Sequence, residues 1–468
     1  MSPVSRIRST PDDPNGIVRR YAANSPFRSA TAEELVNEDN PFRRPVRPHD
    51  LGFLDYGTPL PADRALRLSS LLGHRMLRTV HDADLLFLPA GGDGHPSQDD
   101  AAAFRSAENR ILGRQAAGVL EHHLFHWLAE AHAPLAGGDV AALTAHVQGV
   151  LEERRARPGR ALEVARGCRH RKQAATFTLV QLTAARPAVL SAVGRTQLGD
   201  YDTAHPALRG LLLTDFQGRA DRSTHYRRHL ADAGLSAEPY AYWQFLLSSS
   251  LAGANHLHTV AHDHDRLAEF LGAWVHHRLD ESVTAEGYAE VFRTAYGTED
   301  ASYFTGTPEL TAEGAATLTE ALVAPLHERF GAEAVASFHR GFEDARRLAA
   351  VADEDLAVQL DWADRLDEYK VKAEKLDALI SSSGIEVDLE TFVESHEETS
   401  TTHVHDDHRL VVVEIGQMHF WNNVGEMIPM NEGDKLLIPA ERLHGSMVRS
   451  GTCTYHQPVI TEELLSQV

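Results

Sequence analysis

Residues 402-THVHDDHRL-410 place His403, His405 and His408 beside Asp406 and Asp407. In an extended strand, residues two apart point to the same face, so His403 and His405 project together. His408 joins them only if the register slips by one residue. A third imidazole must come from another strand. His444, which follows a short apolar run and Pro439, is the candidate. Neutral imidazoles suit iron, copper, zinc and nickel. Three on one face leave coordination positions open for oxygen or a substrate. The competing interpretation is a polar loop in a chain that holds 28 histidines.

The surrounding residues must supply strands. Short β-rich runs occur at 410-LVVVEI-415, 418-MHFW-421, 435-KLLIP-439 and 452-TCTYHQPVI-460. Turn residues separate them: Gly416, Asn422-Asn423, Asn431-Glu432-Gly433 and Gly451. Short strands at this spacing predict a small β-barrel over residues 384–468. Before it, 369–383 reads as a charged connecting helix, and 101–368 as an all-α domain of eight or nine helices. Leu120, Leu124, Trp127 and Leu128 form one apolar stripe. Tyr242, Phe245 and Leu246 form another, and Leu267, Phe270, Leu271 and Trp274 a third. Residues 1–100, rich in Pro, Arg and Asp over the first 60, read as an irregular arm and linker. The arm is either disordered or embraces a second subunit.

The spacing of the C-terminal histidines resembles that of cupins. Their first motif runs G-x5-H-x-H-x(3,4)-E-x6-G and their second G-x5-P-x-G-x2-H-x3-N. Here His403 and His405 are followed by Arg409 and Gly416, and Gly433 by Pro439 and His444. The resemblance implies an all-β cupin barrel with a metal on His403, His405 and His444. The chain departs from the pattern at three points. Arg409 stands where the family often has a metal-binding Glu, Glu441 replaces the second motif's glycine, and no Asn follows His444. An arginine cannot ligate a metal, but it can pair with an anionic substrate. The expectation is one Fe(II) per chain on three histidines.

A helical domain followed by a cupin resembles the nitrosourea synthase family of streptozotocin-type biosynthesis. The residues that carry the resemblance are 40-NPFRRPVRP-48, 178-TLVQ-181, 242-YWQFLLSSSL-251 with Asn255 and His258, 303-YFT-305 and 452-TCTY-455. It implies a heme-oxygenase-like diiron domain that hydroxylates a guanidine nitrogen. It also implies a cupin that rearranges the product oxidatively, with N–N bond formation and consumption of O2. Tyr455 matches a family tyrosine and would line the pocket. A homodimer is implied as well.

Of the family's diiron ligands, Asp215 and His225 match two positions, Asp replacing Glu. The other positions fall on Ala192, Arg278, Thr307, Thr311 and Gly314. Two irons need roughly four carboxylates and two or more imidazoles. No diiron centre is therefore expected, and a hydroxylated amine or guanidine made elsewhere becomes the expected small-molecule substrate. Two alternatives stay open: an active diiron N-oxygenase built with other acids, and a non-catalytic binding or scaffold protein.

Other clusters carry weaker signals. His258 and His262, with Asp265 beyond them, share a helical face. His276, His277, Asp280 and Glu281 lie close in sequence, as do His122, His123 and His126. Such groupings are more often solvated faces or satisfied core groups. Cys168, in 164-VARGCRHRK-172, has basic neighbours that could lower its pKa, or is simply a surface thiol. No G-x-S-x-G elbow occurs.

The formal net charge is -22, which argues against nucleic acid and anionic membranes. Two cysteines far apart give no disulfide framework. No signal-peptide core and no run of about 18 apolar residues are present. A soluble cytoplasmic protein is expected.

Overall fold

The computed structural model describes residues 12–23, 55–65, 70–83, 106–201, 203–237, 242–396, 399–422 and 427–468. Most of the arm, including 40–48, and the loop 89–100 lie outside the described residues.

Helices come first in the chain. They are α1 (Pro14–Ala22), α2 (Leu71–Ala83), α3 (Ala107–Glu130), α4 (Val140–Ala156), α5 (Arg160–Gly167) and α6 (Arg171–Thr196). Then follow α7 (Leu208–Asp232), α8 (Ser248–His262), α9 (Leu267–Tyr296), α10 (Ala312–Phe330), α11 (Ala332–Asp364) and α12 (Leu366–Ser383). Short polar side chains start several of them. Ser106, Asp139 and Thr311 each accept a hydrogen bond from the first turn they precede. Gly384, at φ 66°, ends α12 in the left-handed conformation that glycine adopts without strain. The stripe Leu120, Leu124, Trp127 and Leu128 is buried, as are Phe270, Leu271 and Trp274. Tyr242 and Leu246 are also buried, but they flank a three-residue turn, Trp243–Phe245, ahead of α8. By length and composition α6 could cross a membrane, yet 62% of its apolar window is buried inside the protein, which makes it a core helix.

The C-terminal region is a β domain of two antiparallel sheets. Its strands are β1 (Thr391–Ser395), β2 (Thr399–His403), β3 (His408–Ile415), β4 (Gln417–Trp421) and β5 (Ile428–Asn431). They continue with β6 (Lys435–Ile438), β7 (His444–Val448), β8 (Thr452–His456) and β9 (Val459–Ile460). One sheet runs β1-β8-β3-β6, with β9 also on β3, and the other β2-β7-β4-β5. Their apolar faces enclose Val411, Val413, Met418, Phe420, Leu436 and Tyr455.

The helical region and the β domain exchange side chains. Trp362 of α11 sits in the β-domain core, and Leu443 sits in a helical core with Leu360 and Leu246. Arg75 of α2 donates to Thr402 O at 2.9 Å and to Gln244 O at 3.0 Å. Arg64 pairs with Asp406.

Cys168 is buried, and burial, with Asp364 and Asp361 behind it, pushes its thiol up to about 12. The basic neighbours in sequence therefore make neither a reactive nor a surface thiol.

Burial of histidines is expected to make the fold less stable in acid. Burial holds folded His74 at about 3 and His276 at about 4, against an ordinary value of 6.5. Between pH 6.5 and 4 the unfolded chain binds protons that the folded chain cannot, so stability falls as pH drops. Above 6.5 both forms are neutral and the effect vanishes. Each group withdraws about 1.4 kcal/mol per pH unit in this window. Urea unfolding should show a loss of about 5 kcal/mol between pH 6.5 and 4.5 from these two groups.

Candidate functional site

His403 ends β2, and His444 opens β7 directly opposite it in register. Side chains so placed lie within contact range across the sheet. His405 follows two residues after His403, where the chain leaves the strand. The three rings converge, with centroids 4.8 Å apart for His403–His405, 4.4 Å for His403–His444 and 5.1 Å for His405–His444. One nitrogen from each lies within 4.8 Å of the others.

The Nε2 atoms of His403 and His405 are 3.2 Å apart. Two nitrogens bound to one ion at about 2.1 Å stand roughly 3.0–3.4 Å apart, which matches. His444 Nδ1 is engaged by the Arg442 carbonyl at 2.8 Å, while its Nε2 is buried with no hydrogen-bond partner. Burial, reinforced by His403 and His405, pushes His444 well below its ordinary value. Burial likewise lowers His405 to about 4. Both are thus neutral at pH 7 and offer lone pairs. The donor set fits a borderline or transition-metal cation.

His408 does not join them. Its Nδ1 accepts from Ala440 N at 3.0 Å, and its Nε2 lies 2.8 Å from Glu462. Arg409 turns to Asp407, Glu390 and the Gln457 carbonyl. Tyr455 donates to Glu394 at 2.9 Å and stacks on Phe392. Glu441, at the position of the second motif's glycine, keeps the left-handed backbone with φ 62°. Its N–H donates to the His405 carbonyl at 2.7 Å, which ties the two histidine segments together. A non-glycine residue in that conformation stores local strain beside the three rings.

Sequence reasoning missed the support from α11. Gln359, buried, donates to the carbonyls of Asn422 and Leu443 at 3.1 Å each and accepts from Leu443 N at 3.1 Å. The helix thus grips both backbone groups of the residue before His444. Nothing in the local sequence marks a lone glutamine for this task. Gln359→Leu orphans three buried backbone groups at about 1–3 kcal/mol apiece before relaxation. Chemical denaturation should show about 3 kcal/mol lost or more.

The residual diiron-type positions serve other contacts. Asp215, on α7, accepts from Arg219 Nε at 2.7 Å and from Trp274 Nε1 at 2.8 Å, with Arg278 Nε at 3.7 Å. His225, ten residues further along α7, meets Ser302 Oγ at 2.8 Å. Thr307 accepts from Arg222, and Thr311 caps α10. Glu281 accepts from Arg219 Nη1 at 2.6 Å. Burial works to raise Glu281, but Arg219 and Arg222 hold it below the ordinary carboxylate range. Arg186, Arg219, Arg222, Glu281 and Tyr303 line a cavity of about 120 Å³ beside these groups. Asp280 pairs with Arg154 at 2.8 Å, and His123 Nδ1 lies 2.6 Å from the Thr58 carbonyl. Among the described residues, neither grouping brings three ligand atoms within metal-binding distance.

No protein-family model matches the chain. A nitrosourea synthase of Streptomyces achromogenes subsp. streptozoticus is 28% identical over 440 residues, which span 93% of each chain. The similarity therefore extends over parts of both the helical region and the β domain. On that evidence the chain is nitrosourea synthase-like over nearly its whole length.

Proposed function

We propose that this chain is an O2-dependent oxygenase of natural-product biosynthesis, working from a cupin-type β domain. Iron would be held by His403, His405 and His444. The reaction is an oxidative rearrangement or N–N bond formation on a nitrogen-rich small molecule, a hydroxylated amine or guanidine. The observation that carries this reading is the convergence of three imidazoles, one of them buried with its Nε2 unpartnered. Similarity to a nitrosourea synthase supports the class of reaction.

Bound iron supplies the redox chemistry that lets dioxygen oxidise a closed-shell substrate. The chain's own residues position and insulate. The carbonyl of Arg442 fixes the His444 ring through Nδ1 and leaves Nε2 directed at the other imidazoles. Gln359 holds the preceding backbone rigid. Arg409 sits close enough to His405 to add positive charge there. It would receive a substrate carboxylate by exchange with Glu390, the partner on the exposed edge of that pair. Tyr455 would donate to substrate in place of Glu394. The ion-pair cluster around Asp215 favours assigning the chemistry to the β domain, with the hydroxylated substrate supplied by another enzyme.

The test is turnover. Protein loaded anaerobically with Fe(II) is exposed to O2 with N-hydroxylated guanidine amino acids carrying 15N at two nitrogens. The expected product shows 15N–15N coupling by NMR and depends on O2. Iron-loaded protein that consumes no O2 with any N-hydroxylated amine or guanidine overturns the reading.

A further inference from the structure

The helical region contains a second histidine cluster that the proposed reaction does not use. His81 lies in the last turn of α2, and His258 and His262 lie one turn apart on α8. The two helices pack together and bring the three rings to one place. The centroids are 5.1 Å apart for His81–His258, 5.5 Å for His81–His262 and 5.7 Å for His258–His262. One nitrogen from each lies within 4.8 Å of the others.

Two of these rings are almost wholly withdrawn from solvent: His81 is 3% exposed and His258 is 1%. Neither nitrogen of His258 has a hydrogen-bond partner among the described residues, nor has His81 Nε2. A neutral imidazole carries one N–H and one lone pair, and buried polar atoms are seldom left unmet. A helix–helix contact that buries His81 and His258 and leaves three of their four nitrogens unmet calls for a further group. Burial pushes His81 and His258 well below the ordinary value, so at pH 7 both offer lone pairs rather than charge.

The geometry points to a second metal site, in which His81, His258 and His262 bind a borderline dication such as Zn2+ between α2 and α8. Three imidazoles with neither carboxylate nor thiolate among them match that class of ion. Arg78 and Arg195 lie close enough to bear on these rings electrostatically. Their positive charge works against a bare dication, so an anion, such as hydroxide or a carboxylate, would complete the site as the fourth ligand. A metal here would staple α2 to α8. Arg75, six residues before His81 on the same helix, holds the Thr402 carbonyl next to His403. The site would thereby brace the strand that carries the first β-domain histidine.

This inference stands apart from the iron reading, and one experiment separates them. The full-length His403→Ala/His405→Ala protein is stripped with chelator and titrated with Zn2+, and in parallel with Co2+. Elemental analysis and the visible Co2+ spectrum are read. One retained equivalent with imidazole-type Co2+ bands is expected. That equivalent should vanish in the same protein carrying His258→Ala as well. Should that variant fail to fold, His262→Gln, at a less buried position, is expected to weaken Zn2+ by more than the roughly 10–100-fold that loss of an outer-shell contact costs. No bound equivalent in the double variant overturns the inference, whatever the wild type does with iron. An equivalent that survives both His258→Ala and His262→Gln also overturns it, and directs attention to His146, His339 and Glu343.

Discussion

The protein carrying His403→Ala and His405→Ala is expected to retain one iron fewer than the wild type, with O2-dependent turnover lower by more than about 100-fold. Loss of an outer-shell partner alone costs roughly 10–100-fold in affinity or activity, so loss of two of three ligands exceeds that. A second readout separates metal loss from misfolding. An ion that binds only the folded state stabilises it by about 2.7 kcal/mol at 100 times its dissociation constant. Anaerobic Fe(II) should therefore raise the unfolding midpoint of the wild type, while the metal-free double variant stays near the metal-free wild type. The reason lies in the site: without metal, His444 Nε2 is buried with no hydrogen-bond partner, and the contact between the two rings removed is His403 Nε2 to His405 Nε2 at 3.2 Å, so the metal-free fold loses little. Equal iron content in wild type and double variant would move the iron out of the β domain.

Much of this architecture was legible because amphipathic periodicity is a local signal. Leu120, Leu124, Trp127 and Leu128 repeat at helical spacing and are buried together. The runs 410–415, 418–421, 435–439 and 452–460 mark strands in the sequence and are strands in the structure. β2 and β7 carry no such mark. β2 is 399-TSTTH-403, polar and without alternation, and exists because β7 pairs with it. β7 is buried throughout yet contains His444, Gly445 and Ser446, so nothing in its composition signals a core strand. The motif spacing, and not strand propensity, located His403, His405 and His444. His81 was invisible for the opposite reason. It has no motif around it, and only the packing of α2 on α8 gives it His258 and His262 as neighbours. Gln359 likewise acts across a domain contact that local sequence does not encode. Asp215 is the instructive case. Its i,i+4 relation to Arg219 could be read directly, and such pairs face each other on a helix. The resemblance drew the eye to Asp215 as a remnant of metal binding, whereas its carboxylate serves a guanidinium.

That pairing yields a large expected loss of stability. Arg219 and Asp215 have side chains 7% and 8% exposed, and Arg219 bridges Asp215 to Glu281. Breaking a buried pair by removing one partner costs about 3–5 kcal/mol, because the other charge stays buried without compensation. Arg219→Met should lower stability by that amount in urea denaturation. Asp215→Asn added to it removes the stranded carboxylate, and Glu281 keeps Arg222 at 3.7 Å. The double variant is therefore expected to regain more than half of the loss, which a double-mutant cycle would read as coupling. The cycle also bears on where the metal chemistry lies. If Arg219 neutralises these acids, Arg219→Met destabilises in the presence and absence of Fe(II) alike. If iron competes for the same acids, Fe(II) should rescue Arg219→Met selectively, and the ion pair would then be a resting arrangement of a metal site. Indifference to Fe(II) is the outcome the geometry favours, since Arg186, Arg219 and Arg222 surround the cavity where a dication would have to sit.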